Sequence, residues 1–426
     1  MRKVRVSVEA VAFKGYGVAR IDGKVAFVPY TMTGDEAWIE VTEEKKTYSA
    51  GRLIQLLKPS PGRVNPPCAY FGTCGGCQWQ HIDYSIQVEQ KKGILEETLK
   101  RLGGLNEIPP ATVVPSPTPY DYRIRVQLKV KGKAMGYYRE KTHRIVDVEQ
   151  CPISHPLVNQ IIQILRPRLE VLSPIEEVEI NVSPEEAKGV LLFRSDPRGP
   201  RTEQVIKDLL DRQPTLKGVA VTRKDGLRLM GDPTLNFTLP LSREGEEREL
   251  KLRISAGSFS QVNPEQNQRL VQTVLQFSGA NQKDKVFDLY AGGGNLTLAL
   301  ATEAGEVLGI EENRVAFQDG QFSAERNRIK NCHFIRGRIE DILLEQKTES
   351  PDLIVLDPPR TGCKTILDLV VRLKPKKIVY VSCEPTTFAR DLRRFAEKGY
   401  SLQKLSLIDM FPQTYHMETV GLLQQS

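Results

Sequence analysis

Four short apolar runs in the carboxyl-terminal part of the chain end abruptly at polar or chain-breaking residues. They are KVFDL (285–289), VLGIE (307–311), LIVLD (353–357) and KIVYV (377–381). Runs this short, rich in Val and Ile, are buried strands, and helical segments follow the first and the last. The alternation predicts an open α/β sheet, which binds its ligands beyond the carboxyl ends of its strands.

The residues at those ends are the ones to read for chemistry. After the first strand come Asp288, Tyr290 and the turn AGGGN up to Asn295, then a helix. Thr297 stands where a dinucleotide fingerprint would have its third glycine. Glu311, 23 residues beyond Asp288, ends the second strand, where an acid can take two ribose hydroxyls. NAD and S-adenosylmethionine both suit this pattern. The third run ends in Asp357-Pro358-Pro359, a rigid loop that cannot continue a central strand. The fourth leads to Cys383 and then to Pro385, a residue suited to the first turn of a helix. A helix amino terminus favours a thiolate. A small buried hydrophobe would occupy the same place equally well.

Charge is distributed unevenly. Residues 1–150 hold 23 Lys and Arg against 16 Asp and Glu, whereas the other 276 residues hold 37 of each. An excess confined to the amino-terminal third suits a grip on a polyanion, and also a modestly basic solvated surface. No apolar run approaches the length of a membrane span, and MRKVRVSVEA lacks the apolar core of a signal peptide. A cytoplasmic protein is expected, in which seven cysteines are ligands or nucleophiles rather than disulfides.

Three domains follow from the order of these signals. Residues 1–59 alternate in about five short strands with a hairpin turn at Asp22-Gly23, as in a small oligonucleotide-binding barrel. Residues 60–255 begin at a breaker-rich linker and read as an α+β unit. Its DYRIRVQLKVKGKAMGYYREKTHR (121–144) suits either a basic track for single-stranded RNA or an exposed antiparallel sheet. Residues 256–426 carry the α/β sheet. Cys68, Cys74 and Cys77, separated by five and then two residues, precede an isolated Cys151-Pro152. Four thiolates suit zinc or a [4Fe–4S] cluster. Only one C-x-x-C pair is present, which favours the cluster, and His81 is a less favoured alternative ligand.

DLYAGGGNLT (288–297), LDPPR (356–360), YVSCEP (380–385) and DMFPQTYHME (409–418) together resemble the S-adenosylmethionine-dependent RNA uracil-5-methyltransferases. The barrel and the cysteine set are similar to the branch of that family acting on 23S ribosomal RNA, which carries a TRAM domain and a [4Fe–4S] cluster. The resemblance runs through nearly the whole chain. It implies a class I methyltransferase fold, with Cys383 as nucleophile and Glu418 as base. Gln261, Tyr290, Asn295, Glu311 and Asp357 would hold S-adenosylmethionine, and Cys68, Cys74, Cys77 and Cys151 the cluster. Phe259 would stack on the target base, and Arg360 would contact RNA or fix its loop. His416 is then structural. The expected partner of this monomeric protein is RNA: 23S ribosomal RNA first, transfer RNA second. A non-catalytic RNA-binding protein and an NAD-linked oxidoreductase are the readings from other classes. Glu384 stands where the family more often has Asn, and a carboxylate there would raise the Cys383 pKa.

Overall fold

The computed structural model describes residues 2–172, 175–194, 200–223, 226–243, 246–345 and 350–425. Its carboxyl-terminal sheet has seven strands from Lys285 onward: Lys285–Leu289, Glu306–Glu311, Cys332–Arg336, Leu353–Leu356, Lys377–Ser382, Tyr400–Ile408 and Glu418–Gln425. Counted in that order, they lie side by side as third, second, first, fourth, fifth, seventh, sixth. The first five are parallel, and the seventh runs antiparallel to both its neighbours. The order reverses between the first and fourth strands, so a crevice opens at their carboxyl ends. The central strands are almost wholly buried because helices cover both faces.

An eighth strand comes from far away in sequence. Ala111–Val114 pairs in parallel with the sixth strand. The helix before it, Tyr84–Arg101, buries Ile94, Leu95 and Leu99 in the same core as helix Pro385–Glu397. Residues 84–114 lie within the range assigned to the central unit, yet spatially they complete the carboxyl-terminal sheet. Local periodicity identifies the helix but not its distant partner.

The rest of the chain forms two further sheets and a ribbon. Residues 3–58 make a curled six-stranded sheet, one strand more than the sequence suggests. Arg125–Lys131, Glu177–Ser183 and Lys188–Arg194 form the middle of a seven-stranded sheet backed by helices Pro156–Leu165 and Pro200–Arg212. The hairpin Thr234–Arg243 with Glu246–Ser255 reaches from there onto helix Arg314–Arg326. Asp319 fixes it, accepting from the Ser255 amide and from Arg253 Nε, both at 2.8 Å.

Three cations of the central sheet are paired with acids. Arg125 meets Glu179 at 2.9 Å, Lys129 pairs with Glu177, and Arg194 bridges to both acids. Arg123, expected on the same face, is partly buried against the cysteines instead. The barrel's Arg20, Lys24, Lys45 and Arg52 likewise each sit beside a glutamate.

Helix Tyr84–Arg101 also grips the loop between the sixth and seventh strands. Lys91 Nζ donates to Asp409 Oδ1 at 2.6 Å and to the Phe411 carbonyl at 3.1 Å, with both charged side chains fully buried. Gln87 and Gln413 exchange two hydrogen bonds of 3.0 Å. Removing one member of a buried ion pair leaves the other charge uncompensated. Lys91→Ala is therefore expected to lower stability by about 3–5 kcal/mol, read by urea unfolding. A loss of about 1 kcal/mol or less, the range of exposed pairs, would contradict this role.

Candidate active site

The crevice at the strand ends is a cavity of about 880 Å³. Gln261, Tyr290, Asn295 and Asp357, four of the five cofactor-binding candidates, line it together with Asp288 and Phe259. Phe259 stands at its mouth, 57% exposed. Leu239, Leu252 and Ile254 of the hairpin close the apolar side, a contribution that no motif signals.

The first strand hands the chain into the glycine turn through a strained residue. Tyr290 has φ 80°, and Gly292 and Gly294 also take positive φ. Such strain in a non-glycine residue costs on the order of 1–3 kcal/mol and collects at functional sites. Glu311 stands behind this turn, accepting from the Gly292 amide at 2.8 Å and the Asn313 amide at 2.6 Å. Asn295 exchanges side-chain hydrogen bonds with Asn267 at 2.8 and 2.9 Å. Asn267 also lines the cavity, and as one polar residue inside a helix it gives no sequence signal.

Thr297 now has a physical reason. Its hydroxyl donates to Asp288 Oδ2 at 2.6 Å, and its methyl packs where a Cβ on Gly309 would lie only 2.9 Å away. The glycine that permits close helix–strand packing sits on the second strand rather than in the turn. Asp288 Oδ1 is buried with no hydrogen-bond partner among the described residues. An orphaned carboxylate oxygen in the wall of a cavity lined by two acids and no base suits a cationic ligand.

The catalytic candidates meet through sheet register. Ser382 of the fifth strand pairs with Thr419 of the seventh. The ladder ends at that pair; Cys383 directly follows Ser382 and Glu418 directly precedes Thr419, which brings them near enough for the Glu418 charge to act on the Cys383 sulfur. Glu418 is buried, and its carboxyl is raised well above the usual range by burial and by Asp357, against the opposing effect of Arg360. Asp357 is pushed up to about 7 by burial and by Asp288.

Cys383 is pushed up to about 12, first by burial, then by Glu418, with Asp357 adding and Arg360 opposing. This corrects two sequence-based expectations. The thiolate expected at the start of helix Pro385–Glu397 is not favoured; burial and the two nearby carboxyl groups push the thiol up. Glu384 is not the carboxylate responsible; it accepts from Thr386 at 2.6 Å. His416 is half-buried beside Phe411 and Tyr415 and lowered to about 3 by burial, which keeps it neutral.

Cys68, Cys74, Cys77 and Cys151 line a second cavity, of about 440 Å³, with Arg123 beside them. Among the described residues, no group of three or more His, Cys, Asp or Glu side chains is placed to hold a metal ion. His81 lies elsewhere, buried near Phe71 and lowered to about 4.

Sheet order, glycine turn and acidic cavity define an S-adenosylmethionine-dependent methyltransferase of class I, preceded by a β-sheet domain. Residues 83–426 match the tRNA (Uracil-5-)-methyltransferase family and residues 2–54 the TRAM domain. The chain belongs to that family, whose members methylate C5 of uracil in RNA. It is 34% identical to the 23S rRNA (uracil(1939)-C(5))-methyltransferase RlmD of Pectobacterium atrosepticum, covering 99% of this chain and 93% of the relative. It is also 34% identical to an RNA methyltransferase of Aquifex aeolicus described as uncharacterized, over 99% of both. Among solved structures, the tRNA (uracil-54, C5)-methyltransferase of Pyrococcus abyssi with S-adenosyl-L-homocysteine superposes with a TM-score of 0.76. That pair is 25% identical, over 98% of this chain and 99% of the other.

Because Glu418 raises the Cys383 pKa, Glu418→Gln should lower it and speed iodoacetamide labelling of Cys383 at a given alkaline pH. Site-resolved mass spectrometry against pH measures this. An unchanged profile would mean that the two groups do not sense each other.

Proposed function

We propose that this chain methylates C5 of a uridine in 23S ribosomal RNA, with Cys383 as nucleophile and Glu418 as base. The observation that carries the reading is that the strand pair ending at Ser382 and Thr419 brings Cys383 and Glu418 within electrostatic reach of each other and of Asp357, which lines the acidic cavity. Uracil C5 is a weak nucleophile. Once ionised, the Cys383 thiolate adds to C6: the S–C6 bond forms, the C5=C6 π bond breaks, and its electron pair makes C5 enolate-like. C5 then takes the methyl group, whose bond to the sulfonium breaks. Glu418 removes the C5 proton, and the electron pair of that C–H bond restores C5=C6 as the S–C6 bond breaks.

The raised thiol pKa fits this order of events. Asp288 and Asp357 present negative charge without a matching cation in the cavity wall. A bound sulfonium supplies that cation and favours the thiolate, as Arg360 does from the other side. Glu311 spends two acceptor sites on backbone amides and keeps others for the ribose hydroxyls. Gln261, Tyr290 and Asn295 hold the rest of the cofactor, and Phe259 stacks on a uracil taken out of its own stack. The higher identity to the 23S enzyme favours ribosomal RNA. The likeness to the Pyrococcus structure supports transfer RNA as a second reading.

The four cysteines support a [4Fe–4S] cluster rather than zinc. They line one cavity together, and the Gly76 amide donates to Cys74 Sγ at 3.4 Å, as donors to cluster sulfurs do. When bound, such a cluster replaces buried thiol protons with iron and ties the segment 68–77 to residue 151. The reading divides the chain into an RNA-binding barrel (1–59), a central cluster-bearing unit (60–255) and a catalytic unit (256–426) that borrows residues 84–114. A cytoplasmic monomer is the setting proposed with it. No helix among the described residues is long and apolar enough to cross a membrane.

Cys383→Ala should abolish methyl transfer to a 23S transcript while keeping RNA binding. Glu418→Gln should accumulate a covalent protein–RNA adduct, visible on a denaturing gel; normal turnover in that variant would remove Glu418 as the base. Iron and acid-labile sulfide should each approach about four per chain in anaerobically purified protein. One zinc in their place would overturn the cluster.

A further inference from the structure

One acid stands out in the groove between the barrel and the central sheet. Glu140 lies in the loop after strand Ala134–Tyr138, among Lys14, Arg139 and Lys141. A carboxylate there works against any phosphate that the neighbouring cations attract. Its contacts point to another use. Tyr16 donates its hydroxyl to Glu140 Oε1 at 2.6 Å, and Tyr30 to Oε2 at 3.4 Å. These tyrosines flank one strand pair of the barrel, Tyr16 beginning one strand and Tyr30 following the other. Glu140 itself is held to the central unit, because the Gly75 amide donates to the Tyr138 carbonyl at 3.0 Å and Cys74 bridges to Arg139.

The barrel meets the rest of the chain at further points, two of whose residues, Phe13 and Tyr415, line the same groove as Glu140. Phe13 meets Tyr415 of the active-site loop edge-on at 5.5 Å, and a Cβ on Gly15 would come within 2.7 Å of Trp79 Nε1. Arg63 of the linker adds a third tie, pairing with Asp35 and donating to the Tyr30 carbonyl at 2.7 Å, and Tyr30 meets Phe71 at 5.2 Å. Among these contacts Glu140 is the side chain that takes a hydroxyl from each side of the strand pair. We propose that Glu140 is a positioning residue that latches the barrel through Tyr16 and Tyr30, and so sets affinity for RNA long enough to reach the barrel. This rests on RNA being the substrate.

The test compares a long 23S transcript with a short hairpin cut around the uridine that the wild-type protein methylates. Glu140→Ala should raise KM on the transcript roughly tenfold, the size expected for losing a charge-assisted hydrogen bond between two bodies. It should leave kcat on the transcript and kcat/KM on the hairpin unchanged. Glu140→Gln keeps an acceptor for the hydroxyls and should restore most of the loss. The Tyr16→Phe, Tyr30→Phe double variant should reproduce the loss and add nothing to Glu140→Ala. Tighter binding of the transcript by Glu140→Ala would overturn the proposal, since Glu140 would then only repel phosphate. Equal loss on both RNAs, or additive effects, would also overturn it. Failure of the wild-type protein to methylate either RNA would instead refute the underlying reading.

Discussion

Negative charge without enough positive charge is the constraint on which this site depends. Asp288, Asp357, Glu418 and the sulfur of Cys383 share one desolvated sheet edge, and Arg360 is the cation that acts on both Cys383 and Glu418. Left alone, such groups hold their protons, because each ionised neighbour makes the next ionisation harder. A sulfonium is the ligand that relieves the conflict, and the product of methyl transfer, a neutral thioether, is not. On the proposed function, the same electrostatics favours the Cys383 thiolate while donor is present and relaxes its hold once the methyl has left.

Holding that arrangement requires the loop before the seventh strand to stay in place, and the brace comes from elsewhere in the chain. Lys91, Gln87, and the backbone amides of Gln78 and Trp79 all bind the loop from Asp409 to Gln413. The Gln78 and Trp79 contacts directly follow Cys77, so the cysteine segment and the loop leading to Glu418 form one hydrogen-bonded block. A buried lysine is costly to desolvate, and Asp409 with the Phe411 carbonyl offsets that cost only while the loop keeps its shape.

Much of this was legible in the sequence because the information is local. The apolar runs, the breakers after them and the acids at their ends gave the sheet, its ligand edge and the positions of Asp357 and Cys383. What escaped was information held between distant residues. Arg125 and Lys129 read as a basic face because Glu177 and Glu179, their cross-strand partners, lie about fifty positions away. Thr297 read as a flaw in a glycine motif because the compensating glycine is Gly309 on the next strand. Glu384 read as the carboxylate that would tune Cys383 because sequence adjacency says nothing about Thr386 capturing it. Lys91 and Gln87 gave no signal, since a polar residue in a helix is ordinary until its surroundings are known.

The eighth strand carries a consequence for synthesis. Ala111–Val114 leaves the ribosome long before Tyr400–Ile408, the strand it joins. Until the last residues emerge, the early strand has no edge to zip onto and helix Tyr84–Arg101 has no core to cover. Closing so long a loop is slow compared with local helix formation. The nascent chain must therefore carry an unpaired strand and a greasy helix face through most of its translation, which makes it a natural client for chaperones.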